Sequence, residues 1–377
     1  MRVLWYRHNP RLASEPHVLA MAGDWSGPSA ILDGRGGLTD PTEAARNRSA
    51  GLLGSLLAES SLRFTMRSAL HSRAVRQVSP DFIVAHTAMD GLRISSVAKN
   101  LNLPLAVICH GSDILASNAS LKEISYSGRQ LAKHWNLLAD RCAVFLPVSS
   151  YLERELLNRY VGSATVVRHY LGTDIPMDVP PLHLRDRDIL FVGRMEENKG
   201  PDRFVNLVRR LHESGVVSSA TMIGSGSRYG QVAESIVTQG LSEVIRLLPA
   251  RSHDEVREMM GQHRLLVVPS IGLASGVSEG FGLTSIEAQA LGTPVVVSET
   301  GGLPETVNPG ISGFVTSSND EMFAACCGVL TDAQLWLSMS MAARLWTSHN
   351  FDRCARQQEL KLVLEGVASR FYGSGNQ

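Results

Sequence analysis

The chain has 377 residues and a formal net charge of zero, from 36 basic and 36 acidic side chains. Apolar residues make up 44% and charged residues 19%, an ordinary globular balance that excludes disordered and fibrous classes. This length predicts two domains, and the neutral charge gives no sign of a nucleic acid partner. Because no apolar run approaches the ~20 residues of a membrane span, we expect a cytoplasmic protein.

The first half of the chain alternates short apolar runs with helical patterns. Such alternation is typical of a parallel α/β domain, because buried parallel strands are apolar throughout. The predicted strands are Arg2–Arg7, His17–Ala22, Asp81–Thr87, Leu105–Cys109 and Val144–Val148.

The stretch from Arg46 to Gln77 has a helical pattern with six arginines, the last of them Arg76, and an apolar leucine face. A helix packed on the sheet with a solvated arginine face explains this pattern. The alternative is a basic amphipathic helix lying on an anionic membrane surface. We keep both, so peripheral membrane association at the cytoplasmic face stays open.

A proline-rich, charged stretch suggests where the halves divide. We expect an N-terminal domain over residues 1–178, a linker over 179–188 and a C-terminal domain over 189–351. A final helix within 352–377 is expected to pack back on the first domain. Asp186 and Asp188 form a D-x-D pair, but they precede a strand, so we predict no metal site there.

The second half repeats the strand and helix alternation. Ser252 with Glu255 and Ser318 with Glu321 have the spacing of capping boxes at helix starts. The predicted strands are Ile189–Val192, Ala220–Ile223, Ile245–Leu248, Leu265–Pro269 and Pro294–Ser298, and the predicted helices include Pro201–Glu213 and Thr284–Leu291.

Two acids lie inside the crossover between the last two of these strands. Glu279 is in a small-residue loop and Glu287, eight positions later, is in the helix. Glycines at 280 and 282 precede that helix, whose first N–H groups are free to bind an anion. Since carboxylates repel phosphate, their expected partners are hydroxyl groups. A ligand with both phosphate and hydroxyls is a sugar nucleotide.

Two cations, Arg194 and Lys199, follow the strand Ile189–Val192. Ligands of open parallel sheets bind beyond the carboxyl ends of strands, where two cations can hold a diphosphate. Gly224 and Gly226 follow the next strand, but Tyr229 stands where a dinucleotide fingerprint needs glycine. A nicotinamide role is therefore not favoured.

The segment E-G-F-G-L-T-S-I-E resembles the E-x7-E signature of the retaining glycosyltransferases of family 4, which have the GT-B fold. G-R-x4-K-G matches that family's diphosphate-binding motif, and H-G-S-D resembles its H-G-x-D segment. The resemblance covers about two-thirds of the chain. It implies two Rossmann-like parallel-sheet α/β domains facing across a cleft. A glycine turn at 301 and 302 matches another family turn near the sugar.

The residues assigned with this resemblance fall into two groups. Those expected in catalysis are His110, Arg194, Lys199 and Glu279. Those expected to bind the donor are Asp113, Gly193, Gly224, Gly226, Arg251, Gly280, Phe281, Gly282, Leu283, Thr284 and Glu287.

The implied activity is transfer of a hexosyl unit, with retention, from a nucleoside-diphosphate sugar to a hydroxyl of a glycan, lipid-linked or small-molecule acceptor. Uridine diphosphate is favoured over guanosine diphosphate as the carrier, and neither a cofactor nor a metal is expected. The alternatives are a sugar-nucleotide epimerase of the same architecture and a non-catalytic nucleotide-sugar-binding protein. One departure is that the family's G-G-x-E type loop after the first strand is missing, which leaves the acceptor undefined.

Overall fold

The computed structural model describes residues 1–7, 16–34, 37–40, 68–115, 126–179 and 185–373. The chain divides into two compact units. The first comprises Met1–His169 together with Gln357–Gln377, and the second comprises Tyr170–Arg356. Each unit contains one α/β sheet that is mostly parallel.

The sheet of the first unit has the strand order β3-β2-β1-β4-β5-β6-β7, and only the β2–β3 pair is antiparallel. Four of these strands, β1, β4, β5 and β6, are buried along their whole length, as their continuous apolar sequences require. The strands are β1 (Val3–Arg7), β2 (Ser29–Asp33), β3 (Leu38–Thr39), β4 (Phe82–Ala85), β5 (Leu105–Cys109), β6 (Val144–Pro147) and β7 (Thr165–Val166). The helices are α1 (Pro16–Gly23), α2 (Ser68–Val78), α3 (Ala88–Asn100), α4 (Ser112–Leu115), α5 (Tyr126–Ala139) and α6 (Ser150–Leu157).

The sheet of the second unit has the order β10-β9-β8-β11-β12-β13, with parallel pairing throughout. Its strands are β8 (Arg187–Val192), β9 (Ala220–Ile223), β10 (Ile245–Leu248), β11 (His263–Val268), β12 (Val295–Ser298) and β13 (Gly313–Thr316). Its helices are α7 (Pro201–Glu213), α8 (Tyr229–Thr238), α9 (His253–Gln262), α10 (Leu283–Ala290), α11 (Asn319–Thr331) and α12 (Ala333–Asn350). The last helix, α13 (Arg353–Gly373), begins in this unit and ends in the first.

Alternate residues of β8 point into two separate cores, which shows that helices cover both faces of this sheet. Ile189 and Phe191 pack with Phe204 of α7 on one face, while Leu190 packs with Met260 of α9 on the other. The period of two along a strand produces this division. The loops at the ends of the strands are thereby held on a rigid layered scaffold.

Most predicted elements of the second half are confirmed, with β9, β10 and α7 matching to the residue. The capping box of Ser252 and Glu255 is also confirmed. The strand predicted at His17–Ala22 is wrong, because this segment lies in helix α1. Its leucine, alanines and methionine are good helix formers, and Pro16 suits a first helical position.

The C-terminal part of α13 packs within the first unit. The side-chain amide of Gln357 donates to the carbonyl of Met21 (2.8 Å), and the Tyr372 hydroxyl donates to the carbonyl of Asp81 (3.2 Å). Most of the predicted basic helix, residues 46–67, lies outside the described residues. Residues 8–15, which follow β1 and correspond to the position of the G-G-x-E type loop, also lie outside them.

Within the described residues, no single helix is long and apolar enough to cross a membrane. The pair α11 and α12 reaches that length and composition only together, with a bend of 101° between them. Met322 and Met339, one from each helix, lie in the core of the second unit.

Candidate active site

The second sheet reverses its winding direction between β8 and β11. From β8 the chain moves through β9 to β10, whereas from β11 it moves the other way to β12 and β13. Loops that leave neighbouring strands at such a switch point diverge and form a crevice at the carboxyl ends. Arg194 and Lys199 follow β8, and Glu279 follows β11, so the topology brings the predicted cations and the first acid together.

Lys199 and Glu279 form an ion pair at this switch point. The Lys199 Nζ atom lies 2.6 Å from Oε2 of Glu279, and their side chains are 23% and 13% exposed. The Ser270 hydroxyl donates a second hydrogen bond to the same carboxylate oxygen (3.2 Å). The lysine and the acid, 80 positions apart in sequence, therefore belong to one site.

The charge of Glu279 is stabilised by its surroundings. Burial alone raises the pKa of this carboxyl. The opposing effects are stronger and lower the pKa below its ordinary value: the charge and hydrogen bond of Lys199, the hydrogen bond of Ser270 and the charge of Arg194. Glu279 is therefore ionised at neutral pH. Arg194 is exposed and, among the described residues, its guanidinium has no hydrogen bond or ion pair.

The start of α10 lies directly after this acid. Gly282 is the N-cap residue, with φ of 117°, and no side chain caps the first turn. The first N–H groups of the helix, from Leu283 and Thr284, lack intrahelical acceptors and can bind an anion. Gly280 is buried, and the Phe281 ring packs against Tyr170 and Phe351 in the core. Any contact of Phe281 with a donor is therefore left to its backbone.

The second acid, Glu287, lies one turn along α10 and pairs with a histidine. The Nε2 atom of His253, the first residue of α9, lies 3.0 Å from Oε1 of Glu287. The hydrogen bond to Glu287 raises the pKa of His253 above its ordinary value, more than burial lowers it. The sequence analysis gave His253 no role.

The predicted glycines after β8 and β9 bring two loops into backbone contact. A Cβ atom on Gly224 would lie 1.8 Å from the carbonyl oxygen of Gly193, and one on Gly226 would lie 2.5 Å from that of Met195. The loops are joined by a hydrogen bond from the Met195 N–H to the Ser225 carbonyl (3.0 Å). Gly224 and Gly226 are thus required by loop packing, whatever else they contact.

Arg251 occupies the loop between β10 and α9. Its side chain is 39% exposed, and its guanidinium lies 3.9 Å from the carboxylate of Glu255. A weak, exposed pair of this kind leaves the arginine free to turn toward a ligand.

The glycine turn after β12, Gly301 and Gly302, contacts the backbone of the loop that carries Glu279. The Gly302 N–H donates to the carbonyl of Glu279 (2.9 Å), and a Cβ atom on Gly301 would lie 2.0 Å from that same oxygen. Glu305, which follows, accepts a hydrogen bond from the Tyr170 hydroxyl (2.9 Å). The turn therefore holds Glu279 from the backbone side.

In the first unit, the predicted His110 belongs to an aromatic stack. Its ring lies 6.4 Å from that of His86, which lies 5.4 Å from that of Trp5. These residues are at or just beyond β5, β4 and β1, across that sheet's own switch point between β1 and β4. Asp113, in contrast, is buried, and its oxygens accept from the N–H groups of Ala88 (2.8 Å) and Gly111 (3.2 Å). The Asp113 side chain therefore binds backbone N–H groups of the segments that follow β4 and β5.

Neither the depression in the first unit nor the acidic and histidine side chains form a second site among the described residues. In the first unit, a depression of about 500 Å³ is lined by Trp135 and Tyr160 with Lys133 and Arg159, but it includes none of the predicted site residues. Asp140, bound by the Tyr160 hydroxyl, offsets the positive charge. Among the residues that the structure describes, no group of three or more His, Cys, Asp or Glu side chains is arranged to hold a metal ion.

The chain is similar in sequence to known glycosyltransferases. The chain is 29% identical over 241 residues to an uncharacterized glycosyltransferase of Methanocaldococcus jannaschii, MJ1178, covering 64% of this chain and 62% of that protein. It is 33% identical over 155 residues to the D-inositol 3-phosphate glycosyltransferase of Mycobacterium marinum, covering 40% and 31%. The match thus spans less than two thirds of either relative.

Among solved structures, the fold is similar to that of HepE of Anabaena in complex with UDP and glucose. The TM-score is 0.74, with 19% identity, and the match covers 97% of this chain and 99% of that one. The family described as "Glycosyl transferases group 1" matches residues 177–343. That segment lies within the second unit and includes the strands, cations and acids of the site.

Proposed function

We propose that this protein is a retaining glycosyltransferase that moves a hexosyl unit from a nucleoside-diphosphate sugar to an acceptor hydroxyl. The observation that carries the proposal is the Lys199–Glu279 ion pair at the switch point of the second sheet, beside the uncapped start of α10. It provides a cation for phosphate and an acid for hydroxyls within one site. The complex of HepE with UDP and glucose supports the same class of donor.

Each part of the donor has a chemically matched partner. Arg194, Lys199 and the amides of Leu283 and Thr284 hold the diphosphate, because cations and free helix N–H groups both stabilise phosphate charge. Glu279 accepts hydrogen bonds from sugar hydroxyls, and Glu287 accepts them from the ribose. A uridine carrier is favoured, as in the UDP bound to HepE.

Retention follows from attack on the same face of the sugar. The acceptor oxygen forms its bond to the anomeric carbon on the face from which the diphosphate departs. The bond to the phosphate oxygen breaks, and that oxygen takes the acceptor's proton. Lys199 and Arg194 stabilise the negative charge that develops on the leaving diphosphate, which is the main electrostatic requirement of this step.

We propose that the reaction needs no divalent metal, because two cations and a helix N-terminus already offset the diphosphate charge. Activity is expected to be unchanged after dialysis against a chelator. Steady-state release of nucleoside diphosphate, before and after dialysis and with added Mg²⁺, measures this. A loss of rate that Mg²⁺ restores would contradict the proposal.

The donor class is tested by thermal stability in the presence of UDP- and GDP-sugars. A ligand that binds only the folded protein stabilises it by about 2.7 kcal/mol at a hundredfold excess over its dissociation constant. We expect one UDP-sugar to raise the unfolding temperature most, and to raise it less in the Glu287→Ala variant. No shift with any nucleotide sugar would overturn the proposal.

Product analysis separates the proposal from its alternatives. A transferase releases nucleoside diphosphate in the presence of acceptors from a cell extract and makes a glycosylated product. An epimerase would convert the donor sugar with no acceptor present, and a binding protein would do neither.

A further inference from the structure

Both acids of the site are held by a basic side chain, but the two partners differ in kind. Glu279 is paired with the ammonium group of Lys199. Glu287 is paired with His253, whose charge depends on pH. Among the described residues, the Glu287 carboxylate is hydrogen-bonded through Oε1 and not through Oε2, so Oε2 is available to a ligand.

The histidine is fixed by the helix that it begins. Ser252 and Glu255 form a complete capping box around the first turn of α9, with the Ser252 hydroxyl 2.6 Å from a Glu255 carboxylate oxygen. His253 therefore extends from a rigid helix start, and Glu287 extends from α10, which packs on α9. The 3.0 Å contact joins two fixed elements and limits the rotamers that the carboxylate can adopt.

The charged groups around the imidazole favour its protonated form overall. Glu287 of α10 raises the pKa of His253 through a hydrogen bond and its charge, and Asp254 of α9 adds to this. Burial and the charge of Arg257, also of α9, act in the opposite direction but do not cancel the increase. The ion pair is consequently complete below the ordinary histidine pKa of 6.5 and is lost as pH rises through the higher pKa of the folded protein.

We propose that His253 is a positioning residue for donor binding: it holds one oxygen of Glu287 so that the other faces the ribose hydroxyls. This inference rests on the proposed function, because it assigns Glu287 to the ribose. A carboxylate with one oxygen fixed loses less rotamer freedom on binding than an unrestrained one. Donor affinity should therefore depend on the charge of His253, while the chemical step should not.

The decisive variants are His253→Ala and His253→Gln, with His349→Gln as the matched control. Glutamine keeps an N–H donor at the same distance along the side chain but does not titrate. His349 is an exposed histidine of α12 whose ring contacts the carbonyl of Leu345 in its own helix. The probe is the nucleotide sugar that stabilises the protein most. A free nucleoside diphosphate is unsuitable as the probe, because its terminal phosphate titrates at about pH 6 and would add its own pH dependence to the measured affinity.

We expect His253→Ala to weaken donor binding about tenfold, the effect of losing a hydrogen bond to a charged group, with kcat nearly unchanged. His253→Gln should retain most of the affinity. Wild-type affinity should fall as pH rises through the raised pKa of His253, and that dependence should be absent in His253→Gln. Calorimetric titration gives the dissociation constants, and initial rates separate KM from kcat.

The proposal is overturned if His253→Gln and wild type show the same pH dependence, or if His253→Ala binds the donor as tightly as the control. Imidazole titration by NMR tests the pair without any donor, since Glu287→Gln should lower the pKa of His253. If Glu287→Gln lowers the pKa of His253 but neither wild type nor any variant binds a nucleotide sugar, the His253–Glu287 pair exists and it is the proposed function that is wrong.

Discussion

Replacing Lys199 by alanine is expected to lower kcat by two to three orders of magnitude. The variant loses the cation that stabilises the departing diphosphate, and loss of one such electrostatic group costs about 3–4 kcal/mol of transition-state stabilisation. It also removes the ion pair that holds the Glu279 carboxylate in place, so that carboxylate is less well positioned for sugar hydroxyls. Steady-state release of nucleoside diphosphate measures the effect.

Two variants show whether the loss is specific. Lys199→Arg keeps the charge with a different shape and is expected to fall between alanine and wild type. Lys99→Ala removes an exposed lysine at the end of α3 in the first unit and should leave the rate unchanged. A wild-type rate in Lys199→Ala, with the fold intact by circular dichroism, would refute the role of this cation in the reaction.

The fold could be predicted where local signals agree with the final structure. The strands of the second half are short apolar runs between turn residues, and β9, β10 and α7 were located to the residue. β2 (Ser29–Asp33) was missed, because Gly27 and Pro28 before it and several glycines after it are typical of loops. What makes it a strand is pairing with β1, a contact that the local sequence does not encode.

The residues of the candidate site also include some that the sequence predicts and some that it does not. Arg194, Lys199 and Glu279 could be brought together in advance, because strand ends in a parallel sheet meet at one edge. Ser270 and His253 were missed. Each is an ordinary loop or helix-start residue whose role appears only when an element distant in sequence approaches it. A capping box predicted the start of α9, but not that its first side chain reaches α10.

The largest expected effect on stability is that of Gly301→Ala. The residue has φ of 60°, and an added Cβ would lie 2.0 Å from the carbonyl oxygen of Glu279 and 2.8 Å from Oγ of Ser278. Both atoms belong to the loop that carries the first acid, so this loop must move. The left-handed backbone costs an alanine about 1–2 kcal/mol, and the overlap adds about 1–3 kcal/mol more.

Gly310→Ala is the matched control, because it has nearly the same backbone, with φ of 76°, but open space where the Cβ would be. Urea denaturation should show only the conformational cost at this position and the larger loss at Gly301. Donor affinity should differ between the Gly301→Ala and Gly310→Ala variants more than stability does. Displacing Glu279 from Lys199 should weaken binding of the nucleotide sugar at least about tenfold in Gly301→Ala, through loss of charged hydrogen bonds, and leave it unchanged in Gly310→Ala. Equal stability and equal affinity in the two variants would show that the turn after β12 does not hold the acid in place.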